Sequence, residues 1–170
     1  MVPIREANLS GLEWRQTSAF QRHYELKYVD SVLAELTFLK TFGTLARMAT
    51  LSGNWTFKRT GYLSPVVTAR VEHGEAELAT YHPHFMGRKG ALTLAGGEGL
   101  SFGAANFWAS EWVLSDGEGR ALLRMHSRGG LHHGAVLEFT PEGRQRQDAA
   151  MLAGLCWYVI VLHIEDSTVA

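Results

Sequence analysis

The run Ala149 to Leu162, fourteen consecutive residues without a charge almost at the C-terminus, limits this chain more than any other feature. As a helix rising about 1.5 Å per residue, it would span roughly 21 Å, short of the twenty or so apolar residues needed to cross a bilayer. The pattern predicts a buried α-helix over about 147–163. Ala149, Met151, Leu152, Leu155, Trp157, Val159, Ile160 and Leu162 point all round its axis, so protein has to cover every face. Asp148 is the expected N-cap, with Pro141 and Gly143 marking the turn before it. Past Leu162, His163, Glu165 and Asp166 return the chain to water. Gly154 costs up to about 1 kcal/mol against Ala in a helix interior; it fits either a wall approaching the helix backbone closely or a merely tolerated glycine.

From about Tyr24 onward, period-two alternation recurs in short blocks broken by Gly, Asn, Asp or Pro, as in an antiparallel all-β domain. Trp55 and Phe57 share one face while Thr56, Lys58 and Thr60 take the other, and Val67, Ala69 and Val71 oppose Thr68, Arg70 and Glu72. The clearest hairpin sets Trp108, Trp112 and Leu114 against Ala121, Leu123 and Met125 across Ser115 to Gly119, where Asp and Gly supply the backbone conformations of a tight turn. Further strands are expected near 23–29, 32–40, 44–51, 90–95, 99–103 and 134–140. So many strands in one domain predict a closed barrel, because closure removes exposed sheet edges. A barrel of more than about eight strands leaves an interior that its own side chains do not fill, and the apolar helix is the natural filler. Residues 1–22 show no strong period and are expected to form a loosely attached leader.

With 170 residues, 46% of them hydrophobic, the chain forms one domain with a sizeable core. Sixteen Lys and Arg against seventeen Asp and Glu give a net charge of −1, which provides no global field for nucleic acid. The single Cys156 lies inside the apolar helix, so no disulfide framework exists and the thiol reads as a small core hydrophobe. Arg5, Glu6, Glu13 and Arg15 interrupt the N-terminal segment, unlike a secretory signal. A cytoplasmic protein without a transmembrane segment or cofactor is expected.

The helix Asp148-Ala-Ala-Met-Leu-Ala-Gly-Leu-Cys-Trp-Tyr-Val-Ile-Val-Leu-His163 and the strand and turn Trp112-Val-Leu-Ser-Asp-Gly-Glu-Gly119 follow a series of short antiparallel strands. This arrangement, over about residues 24–165, resembles the tubby C-terminal-like superfamily of tubby, phospholipid scramblase and LURP-one-related proteins. The resemblance implies a closed antiparallel barrel of about twelve strands around an apolar C-terminal helix. It also implies a non-enzymatic binding module whose partner is a phospholipid headgroup or a protein. An acylated Cys-rich tract and a run of Ca²⁺-binding carboxylates are missing from the sequence, which argues against scramblase activity. Surface cations carry phosphoinositide recognition in tubby-type domains, and Lys58, Arg88 and Lys89 are the corresponding candidates here. Arg88 and Lys89 sit between Gly87 and Gly90, where two cations and backbone amides could meet a phosphate; the alternative is a solvated turn.

Other motifs carry competing chemistry. Gly99-Leu-Ser101-Phe-Gly103 matches a nucleophile-elbow pattern, with Asp116 and His132 following in hydrolase order, but its flanks alternate like strands instead of forming the strand, turn and helix that an elbow needs. His82 and His84 would project from one face of an extended segment, and His132 and His133 are adjacent; neither pair has a third ligand at telling spacing. Gly53-Asn54-Trp55 resembles the Gly-x-Trp of lipocalins, which would make the chain a carrier of a small apolar ligand with an amphipathic helix packed outside an open barrel. A helix apolar all round favours the filled barrel.

Overall fold

The computed structural model describes residues 1, 4, 11–84 and 86–169. Twelve strands close into one antiparallel barrel: β1 Leu12–Gln16, β2 His23–Tyr28, β3 Ser31–Phe38, β4 Ala46–Thr50, β5 Asn54–Thr60, β6 Val66–Val71, β7 Glu77–His84, β8 Lys89–Leu94, β9 Gly99–Ala104, β10 Glu111–Ser115, β11 Ala121–Arg128 and β12 Gly134–Phe139. Each strand pairs with its neighbours in sequence, and β1 meets β12 to close the ring through Leu12↔Leu137 and Trp14↔Ala135. Two helices follow, α1 Pro141–Gln145 and α2 Ala149–Val169.

The alternation in sequence becomes alternation across the barrel wall. Tyr24, Leu26, Leu36, Phe57, Ala69, Tyr81, Phe102 and Trp112 are buried on the inner surface while their neighbours face outward, as the two-residue period of a strand requires. Helix α2 occupies the space they enclose, and every residue from Ala149 to Leu162 is buried. Its rings touch widely separated strands. Trp157 stacks on Trp14 of β1 at 6.2 Å and meets Tyr24 of β2 edge-on at 5.4 Å. Tyr158 packs against Phe38 of β3 and Phe57 of β5, and His163 meets Trp112 of β10 at 5.2 Å. A side chain fully removed from water contributes about 1.5–3 kcal/mol, so this helix and its wall form one cooperative core. By length and composition α2 could cross a membrane, but 72% of its apolar window is buried inside the barrel. The lipocalin-like arrangement, with its helix outside, does not describe this molecule.

Several expectations are corrected. Residues 12–16 do not belong to a leader: they form β1, whose Leu12 and Trp14 face the core. A strand with only two inward residues shows too little period to stand out. Trp108 lies in the turn before β10 and is 82% exposed, so it takes no part in the hairpin, whose inward partners are Trp112↔Met125 and Leu114↔Leu123, while Ala121 pairs with Ser115 across a register shift. The segment around Pro141 and Gly143 is helix α1, N-capped by the Thr140 hydroxyl, which accepts from the Gly143 amide at 3.1 Å. Asp148 does stand at the N-cap position of α2, its carbonyl accepting from the Leu152 amide at 2.9 Å, while its carboxylate accepts from the Arg146 guanidinium at 2.8 and 3.0 Å. The helix also continues past His163 to Val169.

The meander places successive connections at opposite ends of the barrel. Helix α2 begins at one end, the base, beside the connections 29–30, 51–53, 72–76, 95–98 and 116–120. It ends at the other, the rim, among the connections 17–22, 39–45, 61–65, 85–88, 105–110 and 129–133.

Candidate functional site

The two ends differ in chemistry. All six rim connections expose large apolar side chains: Phe20 (98% exposed), Phe42 (97%), Tyr62 (97%) with Leu63, Met86 (94%), Phe107 with Trp108, and Leu131. None of these connections contains an Asp or Glu, whereas they supply Arg22, Lys40 and Arg88. The base connections and the segment leading into α2 carry Asp30, Glu72, Glu75, Glu98, Asp116, Glu118, Glu142 and Asp148 against Arg120, Arg144 and Arg146, an excess of negative charge. Val29 and Leu51 are exposed there, with no aromatic residue among the large exposed side chains of those connections.

Hydrogen bonds and ion pairs hold the rim loops in place. Arg22 forms a bidentate pair with Glu165 at 2.8 and 2.7 Å, lies 3.8 Å over the Phe38 ring and donates to the Gly43 carbonyl at 2.6 Å. It thereby joins the first two rim connections to the end of α2. Arg59 pairs with Asp166 at 2.6 Å, and this bond, more than any other influence, holds its guanidinium pKa above the ordinary range. Both carboxylates of the helix end are therefore matched by arginines. Arg88 donates to the carbonyls of Asn106 and Phe107 and lies 5.6 Å from the Phe107 ring centroid. The Asn106 side-chain oxygen in turn accepts from the Ser110 and Glu111 amides at 3.0 and 3.1 Å, shaping the turn that displays Phe107 and Trp108.

A cleft of about 470 Å³ opens at this rim between the last turns of α2 and strands β5 to β7. Val67, Tyr81, Val159 and Leu162 are its buried lining, and Arg59, His84, His163, Asp166 and Ser167 carry its polar groups. Burial lowers the pKa of His163, the nearby Arg88 charge adds to the shift, and Asp166 opposes it.

The sequence-selected cations do not form one site. Arg88 and Lys89 lie at the rim, where Arg88 staples two connections and Lys89 is exposed at the start of β8. Lys58 stands on the outer wall at the level of Thr68, three strands from β8, or roughly 14 Å across the sheet at about 4.8 Å per strand. The span Gly87 to Gly90 is not a continuous loop: β8 begins at Lys89, and Lys89 and Gly90 pair with Gly103 and Phe102 of β9. Ser101 is an exposed mid-strand residue of β9 paired with Ser115. Asp116 accepts from the Glu118 and Arg120 amides of its own turn at the base, while His132 sits at the rim, so these three make no catalytic group. Burial pushes the Cys156 thiol pKa well up, which disfavours the nucleophilic thiolate.

His82 and His84 project outward from β7, and His132 and His133 occupy connection 129–133; no third ligand joins either pair among the described residues. Sequence reasoning missed a different group, His23, Glu25 and Glu35, whose ligand atoms lie within 4.8 Å of one another on the outer faces of β2 and β3. Only the pairing Glu25↔Glu35 brings these residues together. Glu25 also lies 3.9 Å from the Lys27 ammonium, which offsets part of the charge a cation would need. The rim residues escaped notice for a similar reason, being scattered from Phe20 to Leu131.

Comparisons with known protein families, with curated proteins and with solved structures found no match to this chain.

Proposed function

We propose that this protein is a non-enzymatic binding module that docks its rim on an anionic phospholipid surface. The observation carrying this reading is that each of the six rim connections exposes a large apolar side chain and none contains a carboxylate. Contiguous exposed apolar patches on soluble domains mark interaction surfaces, and aromatic rings favour the boundary between headgroups and acyl chains. Basic groups near an anionic leaflet add about 1 kcal/mol each, and Lys40, Arg88 and Lys89 lie at this end. The acidic base would point away from the bilayer. The resemblance to the tubby C-terminal-like superfamily, with its lipid-binding members, supports the same reading.

Sedimentation with vesicles of phosphatidylcholine, with and without phosphatidylserine, tests it. Binding is expected on the serine-containing vesicles and should weaken as salt rises. Returning one phenylalanine from lipid to water costs about 1.5–3 kcal/mol, so Phe42→Ser combined with Phe107→Ser should weaken partitioning by about a hundredfold or more. Lys89→Gln should weaken it by several fold, and Lys58→Gln should leave it unchanged. Wild-type protein that ignores both vesicle types, or equal binding by the double variant, would overturn the proposal; a soluble protein captured through the same phenylalanines would point to that partner instead.

A further inference from the structure

The cleft behind the rim is distinct from the loop tips, and its shape follows from an uneven distribution of bulk around α2. Trp157 and Tyr158 fill the space towards β1, β2, β3 and β5. Towards β6 and β7 the helix presents Val159 and Leu162, against Val67 on the inner face of the wall. The wall residues next in line, Ala69 and Ala79, are also small. Val67, Val159 and Leu162, with Tyr81 of β7, form the buried floor of a cleft of about 470 Å³ that is open to the rim. This volume lies within the range of small-molecule sites, roughly 300–1,000 Å³.

We infer that this cleft takes a single acyl chain of a lipid from the bilayer on which the rim docks. The inference rests on the proposed docking and deepens it by naming what the docked rim holds. An unbranched chain suits an apolar lining formed by Val67, Val159 and Leu162, with the Tyr81 hydroxyl turned away to the Phe102 carbonyl at 3.2 Å. Polar groups are confined to the side chains nearest water, where His84 and Ser167 can meet the ester end of the lipid. The Arg59–Asp166 pair leaves no isolated charge beside the chain. Exposed Met86 and half-buried Pro65, from two rim connections, flank the opening, so a chain could leave the bilayer without crossing open water.

The test uses dodecanoyl-lysophosphatidylcholine below its micelle concentration, titrated into the full chain by calorimetry in the absence of vesicles. One molecule bound per protein is expected. Val67→Trp fills the cleft from the wall, and Val159→Phe fills it from the helix. Excluding about two methylenes at about 0.8 kcal/mol each should weaken binding by about tenfold in each variant. A thermal melt shows whether each variant folds, and vesicle sedimentation should persist through the unchanged rim loops, weakened by no more than the same tenfold because only the held chain is lost. No binding of the lysolipid, or undiminished binding by both folded variants, would overturn the inference. Failure of the docking proposal is read separately, from vesicle binding that ignores Phe42 and Phe107.

Discussion

A methyl group at Gly154 would press on the thioether of Met48, 3.1 Å from its Cε, and lie 3.2 Å from Cε2 of Phe57. Both residues face inward from adjacent strands β4 and β5, so the glycine marks where the wall comes closest to the helix. Ala would normally gain about 1 kcal/mol in a helix interior, but overpacking a filled core costs about 1–3 kcal/mol. Gly154→Ala should therefore lower stability by up to about 2 kcal/mol, net of the helix preference. In a Met48→Ala background the same change should be neutral or stabilising, because the space for the methyl has been made. A double-mutant cycle measured by denaturant unfolding checks this; equal effects in both backgrounds would refute the close approach. Of the two sequence readings of this glycine, close approach is the one the structure bears out.

At the scale of elements, the link between the barrel and its filler is electrostatic at the base. Arg146, between α1 and α2, donates to both oxygens of Glu98 at 2.9 and 2.8 Å and to Asp148 at 2.8 and 3.0 Å. It ties the segment leading into the helix to the β8–β9 connection. The Arg146 bond holds the Glu98 carboxyl below its ordinary value of 4.5. A carboxyl depressed in the folded state contributes stability that is present above that ordinary value and is lost as pH falls through the folded one. Glu98 is almost half exposed, so solvent screening keeps the Glu98 pair to about 1 kcal/mol or less. Arg146→Met, which also breaks the Asp148 pair, should destabilise the protein by at least that amount at pH 7, and the difference should shrink below about pH 4. Melting curves of the two proteins across pH would reveal a constant gap if the link were not ionic.

For the whole molecule, closure depends on the short strand β1. Its removal would leave β2 and β12 as unpaired edges, which pair readily with other chains, and would strip Trp14 from the face of Trp157. A variant lacking residues 1–16 should aggregate or lose its fixed aromatic packing, as read by gel filtration and near-ultraviolet circular dichroism; a monomer with native dichroism would show that the barrel closes without it. Trp14→Ala should cost about 3–5 kcal/mol as a large-to-small change in the core. Determined by the sequence alone were the strand-rich wall, the buried terminal helix and its need for cover on every face, because the spacing of apolar residues along a chain records local burial directly. Phe20, Phe42, Met86, Phe107 and Leu131 carry no such record, because they lie in separate short loops with no apolar periodicity. Only barrel closure decided that they share one end, since antiparallel strands send alternate loops to opposite ends and gather residues that sequence distance keeps apart.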